Sequence, residues 1–220
     1  MKKLLRLTVW ALALVLAAAL IYAGTGYREA IADAPELSAR ADALIAAGQG
    51  GDDLGKEHKA MLLAVEDPAF YQHVGFDLTT PGSGITTLTQ SLAKREGFAD
   101  FRPGIKKLRQ TAYAIGLERS LGKDQILALF LHSVDMGRGP DGDWITGLFA
   151  ASDAHFGQPP AALSDADFAR LVAVMIAPGE LELAAPGPAL ETRVARIQAL
   201  LAGDCRPDGN GDVWLAACSG

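Results

Sequence analysis

The stretch Glu66-Asp67-Pro68-Ala69-Phe70-Tyr71-Gln72-His73-Val74-Gly75-Phe76-Asp77 puts an acidic pair at the end of an apolar run over residues 60–65 and follows it with an aromatic turn. A carboxylate at a helix end, walled by aromatic rings, can serve as a general base. Partial burial lifts such a group toward the working pH, to roughly 6–7 in tuned sites. An acidic pair at a helix end is, by itself, also what an ordinary surface looks like.

Positive charge gathers downstream. Lys94, Arg102, Lys106 and Arg109 fall within a short span. Gln90 and Lys94 stand four apart and so share a helix face, as do Lys106, Arg109, Gln110 and Tyr113. Two helices meeting there would present a basic pocket to an anion such as a diphosphate. A solvated basic face on a helix pair is the plainer reading of the same residues.

The elements that must hold these groups read as helices. The pattern predicts one over residues 57–65 and one over 86–95 with Thr86 as a cap. A long helix follows to Leu121 with Pro103 in its first turn, then another over 123–134. Ser164-Asp165-Ala166-Asp167 resembles a capping box opening a helix to Ala177, which Pro178-Gly179 stops, and 189–202 is a last amphipathic helix. No strand pattern and no internal repeat is evident, so the class is mainly α. Half of the 220 residues are apolar, enough for one real core, and a net charge of −6 makes nucleic acid an unfitting partner.

Residues 7–23 are apolar except for Thr8, with Lys2, Lys3 and Arg6 before them and Trp10, Tyr22 and Tyr27 near the ends. That length reaches the short end of the ~17–25 residues of a membrane-spanning helix, and the basic flank predicts a cytoplasmic N-terminus. An uncleaved anchor over 1–27 is favoured over a cleaved signal peptide; either puts the remainder outside the cytoplasm. Residues 28–55 read as a juxtamembrane helix, with Pro35 interrupting it or at a helix start, and a glycine-rich linker. In the tail, 203–220, Cys205 and Cys218 can form a disulfide in an oxidising compartment. Asp208, Asn210 and Asp212 between them look like the start of a calcium loop, but the following glycine and the closing glutamate are missing, so a stapled turn is the better reading.

Over roughly residues 56–178, the order and spacing of these blocks resemble the peptidoglycan glycosyltransferases of family 51, the transglycosylase domains of penicillin-binding proteins and of monofunctional cell-wall transglycosylases. The blocks are the Glu66 stretch, Gly84-Ile85-Thr86-Thr87-Leu88-Thr89-Gln90-Ser91-Leu92-Ala93-Lys94, Lys106-Lys107-Leu108-Arg109-Gln110, Lys123-Asp124-Gln125-Ile126-Leu127-Ala128-Leu129-Phe130-Leu131-His132 and His155-Phe156-Gly157. The resemblance implies a lysozyme-like helical domain, residues 56–202, that joins lipid-linked disaccharide–peptide units into a glycan strand and releases polyprenyl diphosphate. It implies Glu66 as the base, with Asp67 beside it helping to raise its pKa, Phe70 and His73 as packing and orienting groups, and Asp67, Phe70 and Gln110 among the substrate-binding residues. It places Lys94, Arg102 and Arg109 on the phosphates, and Thr86 and Gln90 along the same cleft.

Three departures mark the chain as divergent. Gln110 stands where the family has a second glutamate. Gln125 and Ala128 replace glutamates of the fourth block, and His132 replaces an asparagine. Only residues 78–83 separate Asp77 from Gly84, a segment that is longer in the family and faces the lipid. The implied partners are the lipid-linked precursor, the growing strand, the bacterial inner membrane (with the domain on its periplasmic or extracytoplasmic side) and other wall-building proteins. No cofactor is certain; Mg or Mn is the divalent cation the family admits, at a site that Gln110 weakens. A relative that binds precursor without polymerising it, a glycan hydrolase and a plain interaction module are the competing readings.

Overall fold

The computed structural model describes residues 2–102 and 104–219. The mainly α expectation holds: eight α-helices and one small hairpin are found among the described residues. The helix α1, Lys2–Ala46, is continuous through the boundary at residue 27 and through Pro35, which neither interrupts nor starts it. A mid-helix proline forgoes one backbone hydrogen bond, at a cost of ~3 kcal/mol. Packing around Pro35 offsets it, because Gly26, Ala30, Ala34, Leu37 and Ala41 form a buried stripe at helical spacing. Residues 4–21, by contrast, leave their large apolar side chains exposed, and α1 is long and apolar enough to cross a membrane.

The buried stripe rests on α4, Lys106–Ser120. Two glycines let the backbones approach: a Cβ at Gly26 would lie 2.3 Å from the Arg109 carbonyl oxygen, and one at Gly116 would lie 2.6 Å from the Ala30 Cβ. Polar ties close the seam. Arg109 pairs with Glu29 and the Tyr113 hydroxyl donates to Asp33 at 2.6 Å, while Arg40 pairs with Glu96 at the end of the neighbouring helix over residues 88–96. The helix α5, Lys123–Ser133, is buried at every residue from Ile126 to Leu131 and forms the centre of the core. Gln125 ties it to α1, donating to Ser38 Oγ and Asp42 Oδ1, both at 2.8 Å.

The residues 48–55 are folded more tightly than a linker: Gly51–Leu54 form a 3-10 turn with Leu54 fully buried. The helix α2, Lys56–Glu66, ends at the acidic pair as expected. The helix α3, Leu88–Glu96, is capped by Thr87 rather than Thr86, its side chain accepting from the Gln90 amide. The helical start expected at Pro103 lies outside the described residues. The sequence reading missed a hairpin, β1 Asp135–Arg138 against β2 Trp144–Thr146, and the helix α6, Leu148–Phe156. The helix α7, Asp165–Val174, is capped by Ser164 as predicted, and α8 spans Pro188–Ala202. Cys205 and Cys218 are disulfide-bonded. Asp212 accepts from the backbone amides of Asp208, Ala216 and Ala217, as in a stapled turn.

Candidate active site

Glu66, the last residue of α2, lines a cleft of about 380 Å³. Thr86 and the α3 residues Ser91 and Arg95 form one side, Arg193 of α8 another, and Val213 of the tail reaches in as well. Burial is the main cause that pushes the Glu66 carboxyl up to about 7; Asp67 adds to the rise, while Arg193 and Arg95 oppose it. The anticipated help from Asp67 is therefore present but secondary. A carboxyl tuned this way is ionised for about half the time at neutrality and can accept a proton from a hydroxyl.

The two arginines were not among the sequence candidates. Arg193 is 2% exposed, and its Nε and Nη1 atoms have no protein partner. Arg95 donates to Ser91 Oγ at 3.1 Å and lies 5.5 Å from the centre of the Phe130 ring. Burial lowers the pKa of both, yet a guanidinium stays charged in proteins. The i, i+4 pair Ser91/Arg95 was available as a signal, since it occupies the face of α3 beside Gln90/Lys94. Arg193 was hidden by its distance along the chain.

Asp67 is fully buried and does not line the cleft. Its carboxylate accepts from His73 Nε2 at 2.9 Å and from the Leu88 amide, the first of α3, at 2.9 Å. The negative charge there complements the N-terminus of α3 and fixes the approach of that helix to α2. His73 Nδ1 accepts from the Gly75 amide, so the proton resides on Nε2, toward Asp67. Phe70 is also buried, with the Lys123 ammonium 4.5 Å from its ring centre. Asp67 and Phe70, expected among the substrate-binding residues, instead frame the site.

The cations divide. Lys94 is exposed on α3, and its charge helps lower the pKa of Lys107 after the larger effect of burial. Lys107, missed from sequence, donates to Thr86 Oγ1 at 3.0 Å and to Gln90 Oε1 at 2.8 Å. Thr86, Gln90 and Lys107 thus form one hydrogen-bonded group, with the Lys94 charge near it, that adjoins the Glu66 cleft through Thr86. Arg102 is exposed and 3.5 Å from Asp100. Arg109 is turned the other way, held by Glu29 with its guanidinium 4.6 Å from the Phe98 ring centre. None of Lys94, Arg102, Lys107 and Arg109 is in the cleft lining itself; Lys107 is joined to it through Thr86, whereas Arg102 and Arg109 are held by Asp100 and Glu29.

Gln110 is buried, and its amide donates to the Gln90 carbonyl at 2.7 Å. Amide oxygens beside the Lys107 ammonium make a poor donor set for a divalent cation. Among the described residues no cluster of three or more His, Cys, Asp or Glu stands ready for a metal. The residues do not fit Mg or Mn, and no step below runs through one.

The transglycosylase family model matches residues 49–202. The chain is 31% identical over 152 residues to the biosynthetic peptidoglycan transglycosylase of Pseudomonas aeruginosa, covering 64% of this chain and 63% of that protein. It is 29% identical over 157 residues to the protein of the same name from Azoarcus sp., covering 66% and 65%. Penicillin-binding protein 1F of Bacillus subtilis is 29% identical over 140 residues, covering 58% of this chain and 19% of that protein. The chain therefore spans less than two thirds of the length of these relatives.

Proposed function

We propose that this chain, which belongs to the transglycosylase family, polymerises lipid-linked disaccharide–peptide precursor into glycan strands with release of polyprenyl diphosphate. The acceptor sugar's hydroxyl attacks the anomeric carbon of the donor. The new C–O bond forms on one face while the bond to the diphosphate oxygen breaks on the other, and the configuration inverts. Glu66 takes the hydroxyl proton. The departing diphosphate keeps the electron pair of the broken bond, and Lys107 and Lys94 stabilise the charge that develops on it.

One observation carries this reading. Thr86 lines the Glu66 cleft and also accepts a hydrogen bond from Lys107, so a tuned acid and a cation stand on either side of one cleft residue. A neutral glycan needs no cationic clamp, which weighs against simple hydrolysis. The test is incubation of the full chain with labelled lipid-linked precursor, wild type beside Glu66→Gln. Polymer from the wild type and none from the variant is expected, and equal polymer from both would remove Glu66 from its role.

Buried Gln110 favours a second reading, a relative that binds precursor without joining it. Saturable precursor binding by a wild type that makes no polymer would select it. We place residues 2–27 of α1 across a bacterial inner membrane, with Lys2, Lys3 and Arg6 on the cytoplasmic side and the remainder in the periplasm or its equivalent. The disulfide agrees with that compartment.

A further inference from the structure

The segment from Leu78 to Thr86 has no regular structure of its own, yet it forms one side of the Glu66 cleft. Its backbone groups must find partners elsewhere. The disulfide-closed tail supplies them. The Gly82 amide donates to the Gly209 carbonyl at 3.0 Å, and the Gly84 amide donates to the Asn210 carbonyl at 2.8 Å. Asn210 Nδ2 sits between three oxygens of the segment: Thr80 O at 3.1 Å, Ser83 Oγ at 2.9 Å and Gly84 O at 2.9 Å.

The contact is close as well as polar. Gly82 and Gly84 both have positive φ, and a Cβ at Gly84 would lie 2.6 Å from Val213 Cγ1. The tail is itself pinned: Leu215 is buried in the core, Arg196 of α8 donates to the Trp214 carbonyl, and Cys218 is tied to Cys205. The tail side of these contacts, residues 203–220, lies beyond the stretch that the family model matches, which stops at residue 202.

We infer that the tail closed by Cys205 and Cys218 is a wall of the substrate cleft, with Asn210 as the positioning residue that holds residues 80–84 at the width a sugar chain requires. Val213 supplies the apolar part of that wall. The inference takes the proposed substrate as its ligand, but the positioning itself is independent of that assignment. Losing Asn210 or the disulfide leaves Glu66 and Lys107 in place and lets the wall open, so precursor binding weakens more than turnover.

Two measurements on the full chain in detergent test this. The first is amide hydrogen exchange over residues 79–87, which needs no substrate. Asn210→Ala, and separately the double variant Cys205→Ser/Cys218→Ser, should speed exchange there by about ten-fold or more with α2 and α5 unchanged. Unaltered exchange in both variants overturns the inference, whatever the chain catalyses. The second is polymerisation against precursor concentration. KM should rise by about five-fold in either variant with kcat within about two-fold of wild type. A fall in kcat at unchanged KM, or no change in either, overturns the role in the cleft. A wild type that makes no polymer counts against the proposed function instead, and exchange then decides the wall.

Discussion

The seam between α1 and α4 and the cleft below Glu66 use the same kinds of side chain to opposite ends. In the seam, ionic and polar groups meet partners across the interface: Arg109 with Glu29 and Tyr113 with Asp33. In the cleft, Arg193 is buried with Nε and Nη1 unmatched, and Glu66 feels Arg193 and Arg95 only through space. Buried polar groups in folded chains are nearly always hydrogen-bonded; Arg40 Nε on α1 is also unmatched, but among the described residues only the unmatched atoms of Arg193 belong to a residue lining the Glu66 cleft. The acidic pair shows the contrast within two residues. Asp67 is committed to His73 and Leu88, while its neighbour Glu66 is left available.

The contrast breaks most visibly at Glu66. Glu66→Gln should lower the polymerisation rate by about 10²–10⁴-fold, read with labelled precursor. The next test separates the cationic groups. Lys107→Met should lower kcat/KM by about ten-fold or more, whereas Arg109→Met should leave it near wild type and instead loosen the seam by about 0.5–1 kcal/mol, measured by denaturant unfolding. Equal losses of activity at both positions would erase the distinction between seam and cleft.

Glu66 also links the cleft to stability. Its carboxyl is raised from 4.5 to about 7 by burial, so the folded state holds the proton more tightly than the unfolded chain. The stability this contributes is complete below pH 4.5 and is lost as pH rises through about 7. At about 1.4 kcal/mol per pH unit, ionised Glu66 costs up to ~3 kcal/mol. Glu66→Gln should therefore be more stable than wild type at pH 8, with the gap closing by pH 4, in parallel melts. Catalytic rate should run the other way, falling as pH drops below about 7. The smallest effect is a shift: Arg193→Met should move that acidic limb to higher pH, because Arg193 now lowers the Glu66 pKa.

Local signals in the sequence carried the helices and the position of Glu66. The acidic pair ends α2 and the Ser164 box starts α7, both by interactions within a few residues. What stayed hidden depends on packing between distant segments. Thr86 and Thr87 are equal as caps on paper; Asp67 decides between them by taking the Leu88 amide, leaving Thr86 to meet Lys107. On α4, Arg109 and Tyr113 face α1, while Lys107 and Thr111 turn toward Gln90. Choosing between those faces requires knowing where α1 lies. The hairpin escaped because strands of four and three residues show no period, although Gly139-Pro140-Asp141-Gly142 between them is a turn signature.

The unbroken α1 has a mechanical consequence. Its 45 residues make a rod on the order of 70 Å, and no joint interrupts it between the greasy half and the half clamped to α4 and α5. With the greasy half in a bilayer, the domain cannot nod independently of the rod. Its height above the lipid and its compass bearing would then be set by the rod, so that turning the helix about its own axis swings the mouth of the cleft like a hand on a clock.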